Sequence, residues 1–256
     1  MVLFIVGLLL GGILVPLSTK LEQDSRDRTQ VVLDDIKEAL LGYTVINGRM
    51  PCPDCPDGNA PCNAVAAANR NDGIADWSGT VGTRTCIVQV GNLPWVDLQV
   101  PEFDSWNRHF TYRVTPEFSR ESNTAACGTP AVDVSFELCT AGDIDIYSSY
   151  TPPPYPATPT VAENVPAIVV SHGSDAYEPA QTNQQVENYD RNPVNPDTGS
   201  AILSSYTSGN YSANVFIYAD FARDTSLDPP TRFDDLIMWI SPNLLMNRMI
   251  ISGRLP

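Results

Sequence analysis

The chain has 256 residues, which is enough for one hydrophobic core of ordinary size and a small excursion from it. Acidic residues outnumber basic ones by 30 to 15, and the net charge of −15 argues against nucleic acid, whose phosphates would repel the chain. The same charge argues against docking on an anionic membrane surface. It suits a protein that stays soluble outside the cell.

Residues 1–47 are predicted to form one long helix with two different halves. Residues 1–17 carry no charged or polar side chain, and as a helix they span about 26 Å, just short of the ~30 Å hydrocarbon core of a bilayer. Charges of both signs follow, while an apolar stripe continues at three- and four-residue spacing through Val32, Ile36, Ala39/Leu40 and Tyr43. We expect the first half among lipids or other helices, and the second half against a globular body.

Four residues of the apolar half are candidates for assembly contacts. Gly7 and Gly11 form a G-x-x-x-G pattern, which lets two helix backbones approach closely in apolar surroundings. Pro16 cannot donate a hydrogen bond to the carbonyl of Gly12, so the helix can kink or open there. An ordinary single-span anchor is the alternative. A cleaved signal peptide is disfavoured, because the segment lacks a basic start and a small-residue cleavage site.

Six cysteines indicate three disulfides in an oxidising compartment: Cys52, Cys55, Cys62, Cys86, Cys127 and Cys139. A zinc site at the C-x-x-C of residues 52–55 is the alternative, but no second C-x-x-C follows it. We expect Cys127–Cys139 as a local bridge. For the other four cysteines we expect Cys52–Cys86 and Cys55–Cys62, one choice among three possible pairings.

Strand patterns recur along the remainder of the chain, at residues 86–90, 109–114, 132–138, 143–147, 167–171, 215–218 and 236–240. Residues 132–138 and 143–147 alternate strictly between apolar and polar, which predicts a hairpin. The continuous apolar run at residues 167–171 predicts a central strand. The proline-rich residues 151–166 predict an exposed loop, and Pro242 marks the start of a helix that continues to residue 251.

Enzyme chemistry is not indicated. Ser171-His172 invites a hydrolase interpretation, but neighbouring residues of a strand point to opposite faces and no G-x-S-x-G is present. Two carboxylate pairs are predicted to lie in turns or on a solvated face: Asp143 with Asp145, and Asp234 with Asp235. Three tryptophans are predicted to belong to the core: Trp95, Trp106 and Trp239. We expect no cofactor and no metal.

In combination, several stretches resemble the type IV pilin and pseudopilin family, most closely the large prepilin-like proteins of type II secretion and pilus systems. They are IVGLLLGGILVPLSTKLEQ (5–23), DDIKEALLGY (34–43), NGRMPCPD (47–54), GNLPW (91–95), FDSWNRHFTYRV (103–114), AIVVSHG (167–173) and FDDLIMWISPNLLMNRM (233–249). The family's processing site, a Gly followed by a methylated Phe with a Glu four residues beyond it, does not precede Met1. We expect it upstream in the reading frame.

The resemblance implies an α+β, pilin-like fold. A long N-terminal helix, residues 1–48, would pack on an antiparallel β-sheet within a disulfide-braced head of residues 49–256. The implied function is structural: a subunit of a type IV pilus-like extracellular filament or a type II secretion pseudopilus. The chain would wait in the inner membrane as a single-pass protein, contact the assembly machinery there, and then join copies of itself. A tip-located, adhesin-like minor subunit and a monomeric, membrane-anchored periplasmic binding domain are the alternatives.

Overall fold

The first helix, α1 (Val2–Asn47), is continuous for 46 residues and is about 69 Å long. Its backbone is helical through Pro16. Gly48 ends the helix as predicted: its φ is +70°, a conformation that favours glycine, and its N–H donates to the Thr44 carbonyl at 2.8 Å. A side chain at Gly48 would also collide with the carbonyl oxygen of Asp133.

The computed structural model describes residues 2–56, 61–122, 133–151, 153–156, 158–175, 182–189, 214–220, 222–224 and 231–255, the side chains of residues 2–18, 222–224 and 231–232 excepted. The further helices are α2 (Trp95–Leu98), α3 (Pro116–Ser119), α4 (Asn183–Asn188) and α5 (Pro242–Ile251). The strands are β1 (Trp77–Ser78), β2 (Thr85–Cys86), β3 (Val90–Asn92), β4 (Thr111–Val114), β5 (Ile144–Tyr147), β6 (Ala162–Val165), β7 (Ala167–Ser171), β8 (Val215–Ile217), β9 (Ala222–Asp224), β10 (Thr231–Phe233) and β11 (Leu236–Ile240).

An antiparallel sheet of four strands, in the order β11-β7-β4-β3, forms the centre of the head. The prediction of a central strand at residues 167–171 is confirmed, since β7 pairs with β11 on one side and β4 on the other. All five residues of β7 are buried. Val169 belongs to the core shared with α1, whereas Ile168 and Val170 belong to a second core on the opposite face. Burial on both faces explains why the run is continuously apolar.

The second core separates the central sheet from a smaller sheet, β6-β5-β8. β5 pairs with β6 antiparallel and with β8 parallel. Ile144, Ile146 and Phe216 of this sheet are fully buried and pack in that core with Ile168 and Val170. The head is therefore an α+β arrangement of three layers: the helices α1 and α5, the central sheet and the smaller sheet.

The predicted hairpin between residues 132–138 and 143–147 is wrong. Residues 133–138 are not a strand, and β5 pairs with β6 and β8 instead. Asp133 has a φ of +63°, which breaks the extended conformation. The Ser135 N–H donates to the Gly48 carbonyl at 2.9 Å, and Phe136 is buried against Phe118 with 4.8 Å between ring centroids. The alternating apolar residues therefore pack an irregular segment against the end of α1, without forming a strand.

Other predictions hold in part. The expected strand at residues 86–90 is divided between β2 and β3, and β6 lies inside the segment predicted as a loop. Helix α5 begins at Pro242 as predicted. The three tryptophans are half-buried rather than fully buried: Trp95, Trp106 and Trp239. Trp95 lies directly over Gly73, where a side chain would meet its ring, and Trp239 packs against the second core.

The segment after α1, residues 49–92, is held by two disulfides, and we call it the disulfide loop region. The bonds are Cys52–Cys86 and Cys55–Cys62, the pairing that we expected. The carboxylate of the buried Asp54 accepts the N–H of Asn71 at 3.0 Å and of Gly73 at 2.9 Å. These contacts supplement the short strands β1, β2 and β3 in this part of the head.

Candidate functional site

The α1–head interface is formed by residues 26–47 of α1 and the parts of the head they contact. Its centre is a stripe at three- and four-residue spacing: Leu33, Ile36 and Leu40 are fully buried. Ile36 and Leu40 of the predicted stripe are confirmed as fully buried, whereas Val32 and Tyr43 are only half-buried and pack at its margin. The apolar period therefore predicted the helix and its contact with the head, but not the exact direction of the face.

Polar contacts fix the early part of this interface. The buried Thr29 hydroxyl accepts the N–H of Ser105 at 3.2 Å, and Arg26 donates to the backbone carbonyl of Asp234 at 3.2 Å. Next to Ser105, the carboxylate of Asp104 accepts the hydroxyl of Ser171 on β7 at 2.6 Å. A turn of the head is thereby bonded to α1 on one side and to the central strand on the other.

The late part of the interface is fixed by the last residues of the described chain. The Arg254 side chain donates to the carbonyl of Val45 at 2.8 Å and also to that of Ile46. The last carbonyls of a helix have no partner within the helix, so a cation with several donors satisfies them well. Arg248 of α5 adds a surface ion pair to Glu38 at 3.3 Å.

Asp234 and Asp235 are both buried, which corrects the prediction that they lie on a solvated face or in a turn. Asp234 accepts the N–H and the hydroxyl of Ser174 at 2.9 and 3.0 Å, and the amide of Gln185 at 3.2 Å. Asp235 accepts the amide of Asn188 at 2.6 Å. Burial raises the pKa of Asp235 well above its usual range.

Asn188, at the end of α4, joins this pair to the smaller sheet. Its amide nitrogen also donates to the Ile217 carbonyl at 3.1 Å, and its carbonyl oxygen accepts the Ile217 N–H at 2.6 Å. The buried Asn188 side chain thus satisfies both the N–H and the carbonyl of Ile217, a residue of the edge strand β8. We refer to His172, Gln185, Asn188, Asp234 and Asp235 as the buried polar cluster.

His172 is buried within this cluster, and its ring stacks on Tyr189 with 4.0 Å between centroids. Its Nε2 shares a hydrogen bond of 2.9 Å with the hydroxyl of Thr111. Its Nδ1 lies 3.9 Å from the Asp235 carboxylate, which is too long for a hydrogen bond. Burial lowers the pKa of His172 to about 3, so the ring is neutral at physiological pH.

The geometry does not assemble a Ser–His pair. Ser171 faces Asp104 on the α1 side of the sheet, while His172 faces Thr111 on the other side, as strand alternation predicts. What these side chains do is connect β7, β4 and the segment before β11. The arrangement supports a rigid head beneath the helix.

The candidate assembly residues lie on the part of α1 whose backbone alone is described: Gly7, Gly11, Gly12 and Pro16. Their contacts therefore stay predictions. Cys139 is disulfide-bonded, and Cys127, its expected partner, lies outside the described residues. Asp143, of the other predicted pair, is half-buried and accepts Arg113 at 3.0 Å and the Thr115 hydroxyl at 2.7 Å.

Sequence reasoning missed most of the polar partners of the interface. One of them had a readable signal: Thr182-x-x-Gln185 is a capping box, and both of its hydrogen bonds are present at the start of α4. Arg26 and Arg254 had none, because each reaches a backbone carbonyl about 208 residues away in the chain. Such contacts depend on tertiary structure alone.

Within the part of the chain that the structure describes, no helix is both long enough and apolar enough to cross a lipid bilayer. The same residues contain no group of three or more side chains placed to hold a metal ion. Comparison with protein-family models, with curated proteins and with solved structures found no match to this chain. The functional conclusion therefore rests on the residues themselves.

Proposed function

We propose that the chain is a structural subunit of a type IV pilus-like extracellular filament or of a type II secretion pseudopilus, assembled through its apolar N-terminal segment. The observation that carries the proposal is the division of α1. Residues 26–47 are bonded to the head at both ends and buried along one stripe. Residues 1–17 contain no polar side chain.

The lengths of the two parts of α1 are consistent with one part binding the head and the other packing in a bundle. The α1–head interface takes up about half of the helix, roughly 33 Å, and the uncharged residues 1–17 take up about 26 Å. An uncharged helix of that length needs an apolar environment, which a membrane supplies before assembly and a bundle of like helices supplies afterwards. The rigid attachment of residues 26–47 would transmit the position of the bundled segment to the head.

Substitution of Gly7 tests whether the apolar segment packs against copies of itself. Gly7→Leu keeps the segment hydrophobic, so membrane insertion should survive. In a bundle, the added side chain separates two backbones at a cost of about 1–3 kcal/mol per subunit. We expect membrane-bound protein with intact disulfides and no filaments, scored by electron microscopy of sheared surface material from cells that make no wild-type copy.

Gly7→Ala is the matched control, because it keeps a small residue at the same position, and it should retain filaments. Normal filament yield from Gly7→Leu would contradict the proposal. Immunogold labelling of the wild-type preparation separates the related possibilities. Label along the whole filament identifies a main subunit, label at the ends identifies a tip subunit, and label without filaments identifies a membrane-anchored domain.

A further inference from the structure

A cleft of about 460 Å³ lies between α1, the segment that follows β8, and the strand β11. One wall is a single face of α1, with Arg26, Gln30, Asp34 and Lys37 at successive turns. Residues 236–239 of β11 contribute most of the floor. The volume lies in the range of small-molecule sites.

The opposite wall follows β8 and consists of Tyr218, Ala219 and Asp220. Tyr218 is 44% exposed and meets the half-buried Trp239 edge-on, with 5.3 Å between ring centroids. The two rings present apolar surface beside polar groups. Aromatic side chains of this kind offer a flat apolar contact and, through the tyrosine hydroxyl, a hydrogen-bonding group.

Four of the polar side chains that line the cleft are available to a ligand. Gln30, Asp34, Lys37 and Asp220 make no hydrogen bond or ion pair with any residue that the structure describes. Elsewhere in the head, carboxylates such as Asp54, Asp104 and Asp234 are used by backbone or side-chain donors. Asp34 and Asp220 therefore differ from these three carboxylates.

The chemistry of the lining selects a class of ligand. Cations and carboxylates lie on the same walls, with Lys37 one turn from Asp34, so an ion of either sign meets repulsion as well as attraction. Lysine only donates, carboxylates only accept and glutamine does both. A set of closely spaced donors and acceptors suits hydroxyl groups, each of which donates and accepts.

We propose that this cleft binds a neutral carbohydrate. The C–H face of a sugar ring would lie against Tyr218 and Trp239, and its hydroxyls would bond to Gln30, Asp34 and Lys37. The proposal concerns the cleft between α1 and the head, and it holds whether or not the chain polymerises.

The test is a printed array of neutral and uronic-acid-containing glycans, probed with the full-length chain in detergent. The best neutral glycan is then titrated calorimetrically. A charged hydrogen bond to a ligand is worth about 1.5–3 kcal/mol, so Asp34→Asn should weaken binding at least tenfold. Tyr218→Ala should have an effect at least as large. Asp35→Asn is the matched control: it removes the same charge from the neighbouring exposed residue, which does not line the cleft, and it should bind as the wild type does.

Neutral-glycan binding that falls in Asp34→Asn and Tyr218→Ala but not in Asp35→Asn supports the proposal. The absence of glycan binding overturns it, as does equal affinity in all variants or a preference for uronic acids. A change of self-association in the cleft variants, measured by sedimentation and without any glycan binding, would assign the cleft to contacts between copies and would also overturn it. Filament formation is scored separately, so failure here leaves the structural proposal standing.

Discussion

The disulfide loop region and the buried polar cluster both attach segments without regular secondary structure to a sheet, but they do so by different interactions. In the first, two covalent bonds close loops around Asp54, whose carboxylate accepts two backbone N–H groups. In the second, the hydrogen bonds of Gln185, Asn188 and Ser174 to Asp234 and Asp235 hold α4 and the turn after β7 in place.

The difference has energetic consequences. A disulfide stabilises the fold mainly by restricting the unfolded chain, so its contribution grows with the loop it closes and does not depend on pH. A buried polar cluster stabilises only while each group keeps its partner, and removal of one member leaves the others desolvated and unsatisfied. The stability contributed by the disulfides should therefore depend on the length of the loop that each one closes. The stability contributed by the buried polar cluster should depend on each individual donor and acceptor.

The largest expected effect is loss of the longer disulfide loop. Cys52 and Cys86 are 34 residues apart and Cys55 and Cys62 only 7. The chain-entropy relation gives about 4 kcal/mol for the first bond and about 2.5 kcal/mol for the second. The double alanine variants should lose unfolding free energy in that order in urea titrations. The reverse order would show that local packing, rather than loop closure, decides the contribution of these bonds.

Asn188→Ala should have the next largest effect. It removes three hydrogen bonds in a buried site, and at about 1 kcal/mol net for each bond the loss is about 3 kcal/mol of unfolding free energy. Asn69→Ala is the control, because that side chain is exposed, and it should cost less than about 0.5 kcal/mol. A loss below 1 kcal/mol for Asn188→Ala would mean that the cluster rearranges around the missing amide.

His172 and Asp54 should respond to pH with opposite signs, since burial lowers the pKa of the first and raises the pKa of the second. Burial lowers the pKa of His172 to about 3, so between pH 3 and about 6.5 the unfolded chain binds the extra proton and stability rises with pH. Burial raises the pKa of Asp54 to about 7, so between about pH 4 and 7 the folded chain binds the extra proton and stability falls as pH rises.

Between pH 4 and 6.5 these two contributions oppose each other, and the raised pKa of Asp235 acts in the same direction as that of Asp54. His172→Gln should make the slope of unfolding free energy against pH more negative by about one proton, and Asp54→Asn should make it more positive by the same amount. Denaturant titrations at half-unit intervals of pH measure both slopes. Slopes that change in the same direction would refute the assigned protonation states.

The local sequence pattern predicted those parts of the fold that are determined by residues close together in the sequence. The alternation of charge with an apolar stripe predicted α1, and the uninterrupted run in β7 predicted a strand buried on both faces. Pro242 marked the start of α5. The predicted helix over residues 1–47 ends where observed, before Gly48 with its positive φ.

Prediction failed where distant residues decide the outcome. The alternation of residues 132–138 is real, but Asp133 adopts positive φ and Ser135 bonds to the end of α1, so the pattern serves packing without a strand. The adjacent carboxylates Asp234 and Asp235 have the local appearance of a turn. They are buried because Ser174, Gln185 and Asn188, 47 to 60 residues away, supply donors.

The contacts of Arg254 and Arg26 also bear on the order in which the chain can fold. Both join the first helix to the last part of the described chain, across about 208 residues. During synthesis the buried stripe of α1 emerges first, and its partners on β11 and α5 emerge last. Contacts of such long sequence separation slow folding, because the loop between them must close before they form. The part of the apolar stripe that packs on β11 and α5 is therefore exposed until nearly the whole head has been made.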